Sequence, residues 1–225
     1  MSDANTPAPA AEPVRVWDVP IRLVHWLLVL LLPFSWWTAE TGRLEWHRWS
    51  GYTLLGLMIF RLYWGFFGSS TARFAEFLRG PGTVIGYLRG RWDVTAGHNP
   101  LGALSVIALL GLVLLQIALG LFAVDVDGLE SGPLSLYVSF EAGRAAAEWH
   151  DVVFDVLMYL VLLHVLAVLY YVILRRQDLV GAMFSGRRRY ESAVAPLQRA
   201  AWWRLFVGIV ISVSLTYAVT RAFQF

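Results

Sequence analysis

The sequence predicts an all-α integral membrane protein: a four-helix bundle with a fifth transmembrane helix at its C-terminal end. Three observations lead there. Of 225 residues, 58% are hydrophobic and only 15% charged, with a mean hydropathy of +0.58. A water-soluble chain sits near ~45–50% apolar and about 25% charged. The surplus is too large for one core and must face lipid, which excludes a soluble enzyme, a disordered chain and a fibrous protein. Next, five apolar stretches approach the ~20 residues that a helix needs to cross a hydrocarbon core of about 30 Å. Finally, the eighteen basic residues, all Arg, are unevenly shared among the links between those stretches.

Taken in order, residues 1–14 are rich in Ala, Pro and acid and read as a flexible tail. They lack the basic start of a signal peptide, and the apolar run that follows is too long for one. The spans fall at 21–39, 49–67, 101–124, 152–174 and 205–219. The third contains no charge, and the fifth is the shortest. Residues 15–189 thus make the four-helix unit, and 190–225 a linker with the added helix. The link 69–100 is too long for a bare loop. Phe74, Phe77 and Leu78, then Val84, Ile85 and Leu88, recur at helical spacing beside Arg. They fit either a short interfacial helix after Pro81 or an irregular link touching headgroups. There is no internal repeat.

Charge orients the spans. The link between the second and third carries Arg73, Arg79, Arg89 and Arg91 against Glu76 and Asp93. The segment after the fourth carries Arg175, Arg176, Arg187, Arg188, Arg189, Arg199 and Arg204 against Asp178 and Glu191. Between the third and fourth the balance reverses, with Asp125, Asp127, Glu130, Glu141 and Glu148 against Arg144 alone. Arg-rich links stay in the cytoplasm, so the N-terminus is predicted inside and the C-terminus outside. Trp17, Trp36, Trp37, Trp46, Trp49, Trp92, Trp149, Trp202 and Trp203 cluster at span ends, where an interfacial aromatic belt belongs.

The chain has no Cys, which rules out disulfides, iron–sulfur clusters, thiolate metal sites and covalently attached c-type haem. Five His remain. An intramembrane imidazole usually marks function, although any one alone could simply bond a neighbouring carbonyl or hydroxyl. Four of them show a pattern. His150 and His164 are fourteen residues apart on the fourth span, which places them within roughly 40° on one helix face and about 21 Å apart along the axis. They cannot share a metal, but they suit two stacked centres. Topology supplies a partner at each depth: His47, opening the second span from outside, for His150, and His25, near the inner end of the first, for His164. Structural zinc needs four ligands and catalytic zinc three, so two His fall short. A haem brings four equatorial nitrogens and needs only the axial pair. Two non-covalent b-type haems follow, each with no open coordination position, so electron transfer is favoured over oxygen chemistry. Less the macrocycle radii, the spacing leaves a gap short enough for tunnelling.

Other residues stay open between roles. Gly51, Gly56, Gly102, Gly111 and Gly120 could admit a flat macrocycle or serve close helix packing. Arg61, fourteen residues beyond His47, could pair with a propionate of the inner haem or snorkel to the headgroups. Asp155 could carry protons or support a ligand His. His98 has no partner at its own depth and reads as a structural or capping residue, ahead of quinone or propionate contact.

At these residues the chain resembles bacterial cytochrome b561 and the cytochrome b subunit of nickel–iron hydrogenases. The matching stretches are Val16-Trp17-Asp18 with Arg22 and His25-Trp26; Trp46-His47 with Gly51-Tyr52; Phe60-Arg61-Leu62-Tyr63-Trp64-Gly65; Gly97-His98-Asn99-Pro100-Leu101-Gly102; Trp149-His150; His164; and the segment from Met183 to Arg188. They cover roughly residues 15–189. The resemblance implies a four-helix protein of the bacterial inner membrane with two b haems on His25, His47, His150 and His164. It also implies a place in a respiratory chain, exchanging electrons between quinone and a c-type cytochrome or hydrogenase. One relative oxidises superoxide directly, which makes a superoxide oxidase feeding quinone the first alternative. Superoxide, an anion, would be gathered by a positive funnel; the acidic outer link suits a basic protein partner better. A second alternative is a haem-free transporter or assembly subunit with His as proton relays. The fifth helix lies outside the resemblance.

Overall fold

The computed structural model describes residues 12–91, 94–127 and 130–223. Most of the expected tail, residues 1–11, lies outside them, as do Trp92 of the aromatic belt and Asp93 of the inner link.

Three of the long helices begin at a side-chain cap. Asp18 Oδ1 accepts the Ile21 amide at 3.0 Å, and Pro20 pre-sets the first turn of α1 (Val19–Glu40). Gly42, at φ +67°, then turns the chain tightly into the antiparallel α2 (Leu44–Phe67). The link beyond contains two short helices, α3 (Phe74–Phe77) and α4 (Pro81–Leu88). Of the two readings of this link, the helix after Pro81 is therefore the one observed. Asn99 Oδ1 accepts the Gly102 amide at 2.7 Å and starts α5 (Pro100–Phe122). Asn99 is thus the cap, and His98 is not. Ser139 caps α6 (Phe140–Ile173), whose 34 residues extend about 51 Å. This helix starts twelve residues before the apolar span. Alanines 145–147 sustain it in water, where a search for apolar residues sees nothing. After α7 (Leu179–Ser185) and a linker comes α8 (Trp202–Thr220).

By length and composition α1, α5, α6 and α8 can each cross a membrane. The 24-residue α2, expected as the second span, falls short on composition. The reason lies in its position, since it packs against α1, α5 and α8 and buries Ser50 and Arg61 among its apolar residues. A helix whose neighbours are protein can carry such groups. The other main contact joins α5 to α6.

Two apolar clusters fill the bundle. Met58, Val113 and Leu157, flanked by Leu28, Leu32 and Ile117, occupy its middle. Ile21, Val24, Phe60 and Trp64 occupy the Arg-rich end, where Trp17 and Leu205 join them. On the outside, Leu162, Leu163 and Leu166 of α6 are more than half exposed, as expected of lipid-facing residues. Trp36, Trp37, Trp46, Trp202 and Trp203 are also exposed near helix ends, and Trp49 and Trp149, further inside α2 and α6, are exposed as well, in keeping with a belt. Trp17 departs from it: its ring turns inward onto His98. A two-residue ribbon holds it there, with β1 (Val14–Arg15) antiparallel to β2 (Arg187–Arg188). Next to it the Val16 amide donates to the Gly186 carbonyl at 2.8 Å. Gly186 sits at φ +76°, and a Cβ there would lie 2.7 Å from the Trp17 carbonyl oxygen, so a side chain is excluded.

Candidate functional site

At the acid-rich end, the first turn of α2 and the first third of α6 bring the His47 and His150 rings together edge to face. Their ring centroids are 6.1 Å apart and their planes 82° from parallel. His47 Nδ1 lies 2.9 Å from the Ser35 carbonyl oxygen, and His150 Nδ1 lies 2.9 Å from that of Gln116. A carbonyl only accepts, so each Nδ1 donates, and in a neutral ring that leaves Nε2 as the nitrogen with the lone pair. This arrangement turns Nε2 of both imidazoles toward metal binding, with a carbonyl fixing the far nitrogen. The two rings would hold a metal-bearing group between them. Gly120 on α5 makes room for this arrangement: a Cβ there would lie 2.9 Å from His150 Cε1. Gln116 Oε1 is covered nearby without a partner.

At the Arg-rich end, His25 and His164 are close enough for their charges to interact. His164 Nδ1 lies 3.3 Å from the Ser105 hydroxyl, and His25 Nδ1 is covered with no hydrogen bond. The Met58, Val113 and Leu157 layer separates the two pairs. Both expected pairings are thus brought together. Among the described residues no three His, Cys, Asp or Glu side chains converge, so each place offers two imidazoles.

Arg61 is only 6% exposed, too buried to snorkel. Its guanidinium reaches the Ala72 carbonyl at a long 3.5 Å and lies 5.0 Å from the Phe74 ring centre, but it joins none of the ion pairs among the described residues. His98 lies between Trp17 and Phe77, with ring centroids at 4.7 and 4.8 Å. Burial, and then the charges of Arg61 and His164, push its imidazole down to about 3, so it is neutral at physiological pH. Asp155, expected as a support for a ligand His, is exposed on α6 and takes part in none of the hydrogen bonds to those rings. Nine residues from His164, it points to the opposite side of the helix. Of the five glycines, Gly120 meets an imidazole and Gly56 meets Thr216 of α8. Gly102 lies over Asn99 and His98, while Gly51 and Gly111 face open space.

The residues that sequence reasoning missed are Ser35, Ser105 and Gln116. Ser105 and Gln116 are the only polar residues in the third span. Eleven positions apart, they share one helix face at nearly the spacing of His164 and His150 on the antiparallel neighbour, a signal the sequence does contain.

Comparison with known proteins adds one finding. The family described as prokaryotic cytochrome b561 matches residues 16–186, about three quarters of the chain. The chain belongs to that family. No curated protein and no solved structure matches it. As a prokaryotic cytochrome b561 it is a multi-pass membrane protein of electron transfer that binds b-type haem. The donor set fits that group: His47, His150 and His164 each have Nδ1 engaged, which would leave Nε2 to hold haem iron, and His25 adds a fourth imidazole. When bound, haem supplies a one-electron couple. The chain's own residues orient the imidazoles, exclude water from the middle of the bundle and place a buried cation at one end.

Proposed function

We propose that this cytochrome b561 carries two b haems, one on His47 and His150 and one on His25 and His164. With them it moves electrons between the quinone pool and a redox protein outside the cytoplasm, such as a c-type cytochrome or a hydrogenase. The observation that carries this reading is the presence of two imidazole pairs at opposite ends of one bundle, with a dry apolar layer between. Such an arrangement relays electrons across the membrane without opening a path for water. Arg61 supports a carboxylate-bearing group at its end: it makes no direct ion pair among the described residues, with Asp18 near enough only for its charge to act, and a haem propionate would offset the cost of its burial. The Arg-rich end belongs in the cytoplasm of a bacterial inner membrane, with the N-terminus. The acid-rich end then faces a basic partner.

Replacing either His47 or His150 with Ala tests the pairing. Each variant should lose the same haem and keep the other, read as a halved haem-to-protein ratio; loss of both or neither contradicts it. Superoxide is a weaker fit as electron source, because Arg48 beside His47 is paired with Glu130 and offers no free positive funnel. Rapid reduction of the purified protein by superoxide would reverse that ranking.

A further inference from the structure

We propose that His98 and Arg61 form one cradle for a carboxylate, and that it takes a propionate of the haem held by His25 and His164. This rests on the di-haem reading and adds a residue that reading does not need.

Geometry excludes the alternatives for His98. It does not cap α5, because Asn99 does. It is no hydrogen-bonded core histidine, because among the described residues neither ring nitrogen finds a partner, and Nδ1 is fully covered. Nor does it pair with another imidazole as the four ligands do. Yet the fold works to hold it: Trp17, fixed through Val16 and Gly186, packs on the ring, and Phe77 packs on it too. Phe77 in turn contacts Phe74, over which the Arg61 guanidinium lies, so one aromatic stack joins the two polar groups. Arg61 and His164 are both near enough for their charges to act on His98.

A neutral imidazole offers one N–H and one lone pair. With Nδ1 sealed off, Nε2 is where an N–H finds an acceptor, and leaving it unmet costs free energy. A positively charged guanidinium near enough for its charge to reach the ring, together with a neutral N–H, suits an anionic acceptor. A carboxylate satisfies both and stays ionised.

Redox titration of the purified full-length protein, followed by absorbance, tests the cradle. His98→Phe keeps a ring between Trp17 and Phe77 but removes the donor. With less of the carboxylate's charge offset, the oxidised haem is favoured. One of two midpoint potentials should therefore fall while the other stays fixed, at unchanged haem content. His98→Gln should restore much of the lost potential. Arg61→Gln should lower the same potential, and the double variant should shift it by less than the sum. Identical potentials in His98→Phe and the parent overturn the proposal, as does a shift that His98→Gln leaves untouched. A parent protein without two haems overturns the di-haem reading itself.

Discussion

Gly120 shows how a single atom can govern a cofactor site. The His150 ring occupies the space where a Cβ would stand, 2.9 Å from it, and that ring is also tied to the Gln116 carbonyl one helical turn earlier. Gly120→Ala should push the imidazole off its tether, because the opposing atom belongs to a ring held by a hydrogen bond and cannot swing aside. The expected result is loss of the haem at the acid-rich end, with the other retained, measured as haem per protein. Ser35 and Gln116 act on their histidines through backbone carbonyls. Such roles are hard to read from residue types, because any residue supplies a carbonyl. The four histidines themselves were legible, because intramembrane imidazole is costly and helical geometry fixes which of them share a depth. His98 was only half legible: its lack of a partner at its own depth was clear, but its contacts with Trp17 and Phe77 bring together residues that are distant in sequence.

Among the elements, α1, α5, α6 and α8 follow directly from runs of apolar residues. α2 is less apolar because its surroundings are mostly protein, and the early start of α6 escaped notice because alanine helices in water carry no apolar signature. The position of α8 could not be read at all. It lies beyond the family's residues and packs along α2, where Gly208 sits beneath Tyr63 and a Cβ would come within 2.7 Å of that ring. Gly208→Leu should therefore lift α8 away. The chain has no native cysteine, so a Gly56→Cys, Thr216→Cys pair offers a clean readout across the contact where Gly56 approaches the Thr216 hydroxyl. Oxidation should cross-link the pair in the parent background and fail to do so when Gly208→Leu is added.

The whole molecule is electrically polar. One end carries arginines in every link, and the other carries the acids of the α5–α6 link and the start of α6. If the acid-rich end receives a basic electron carrier, the second-order rate of exchange with a basic c-type cytochrome should fall steeply with added salt, while exchange with an acidic one should not. That prediction concerns the partner. The proposed internal architecture depends on four imidazoles acting as two axial pairs across an apolar layer. Haem per chain in protein purified from haem-replete cells, read with its reduced-minus-oxidised spectrum, tests this most directly. The account requires close to two haems with a low-spin b-type spectrum; one haem, none, or a high-spin spectrum would contradict it.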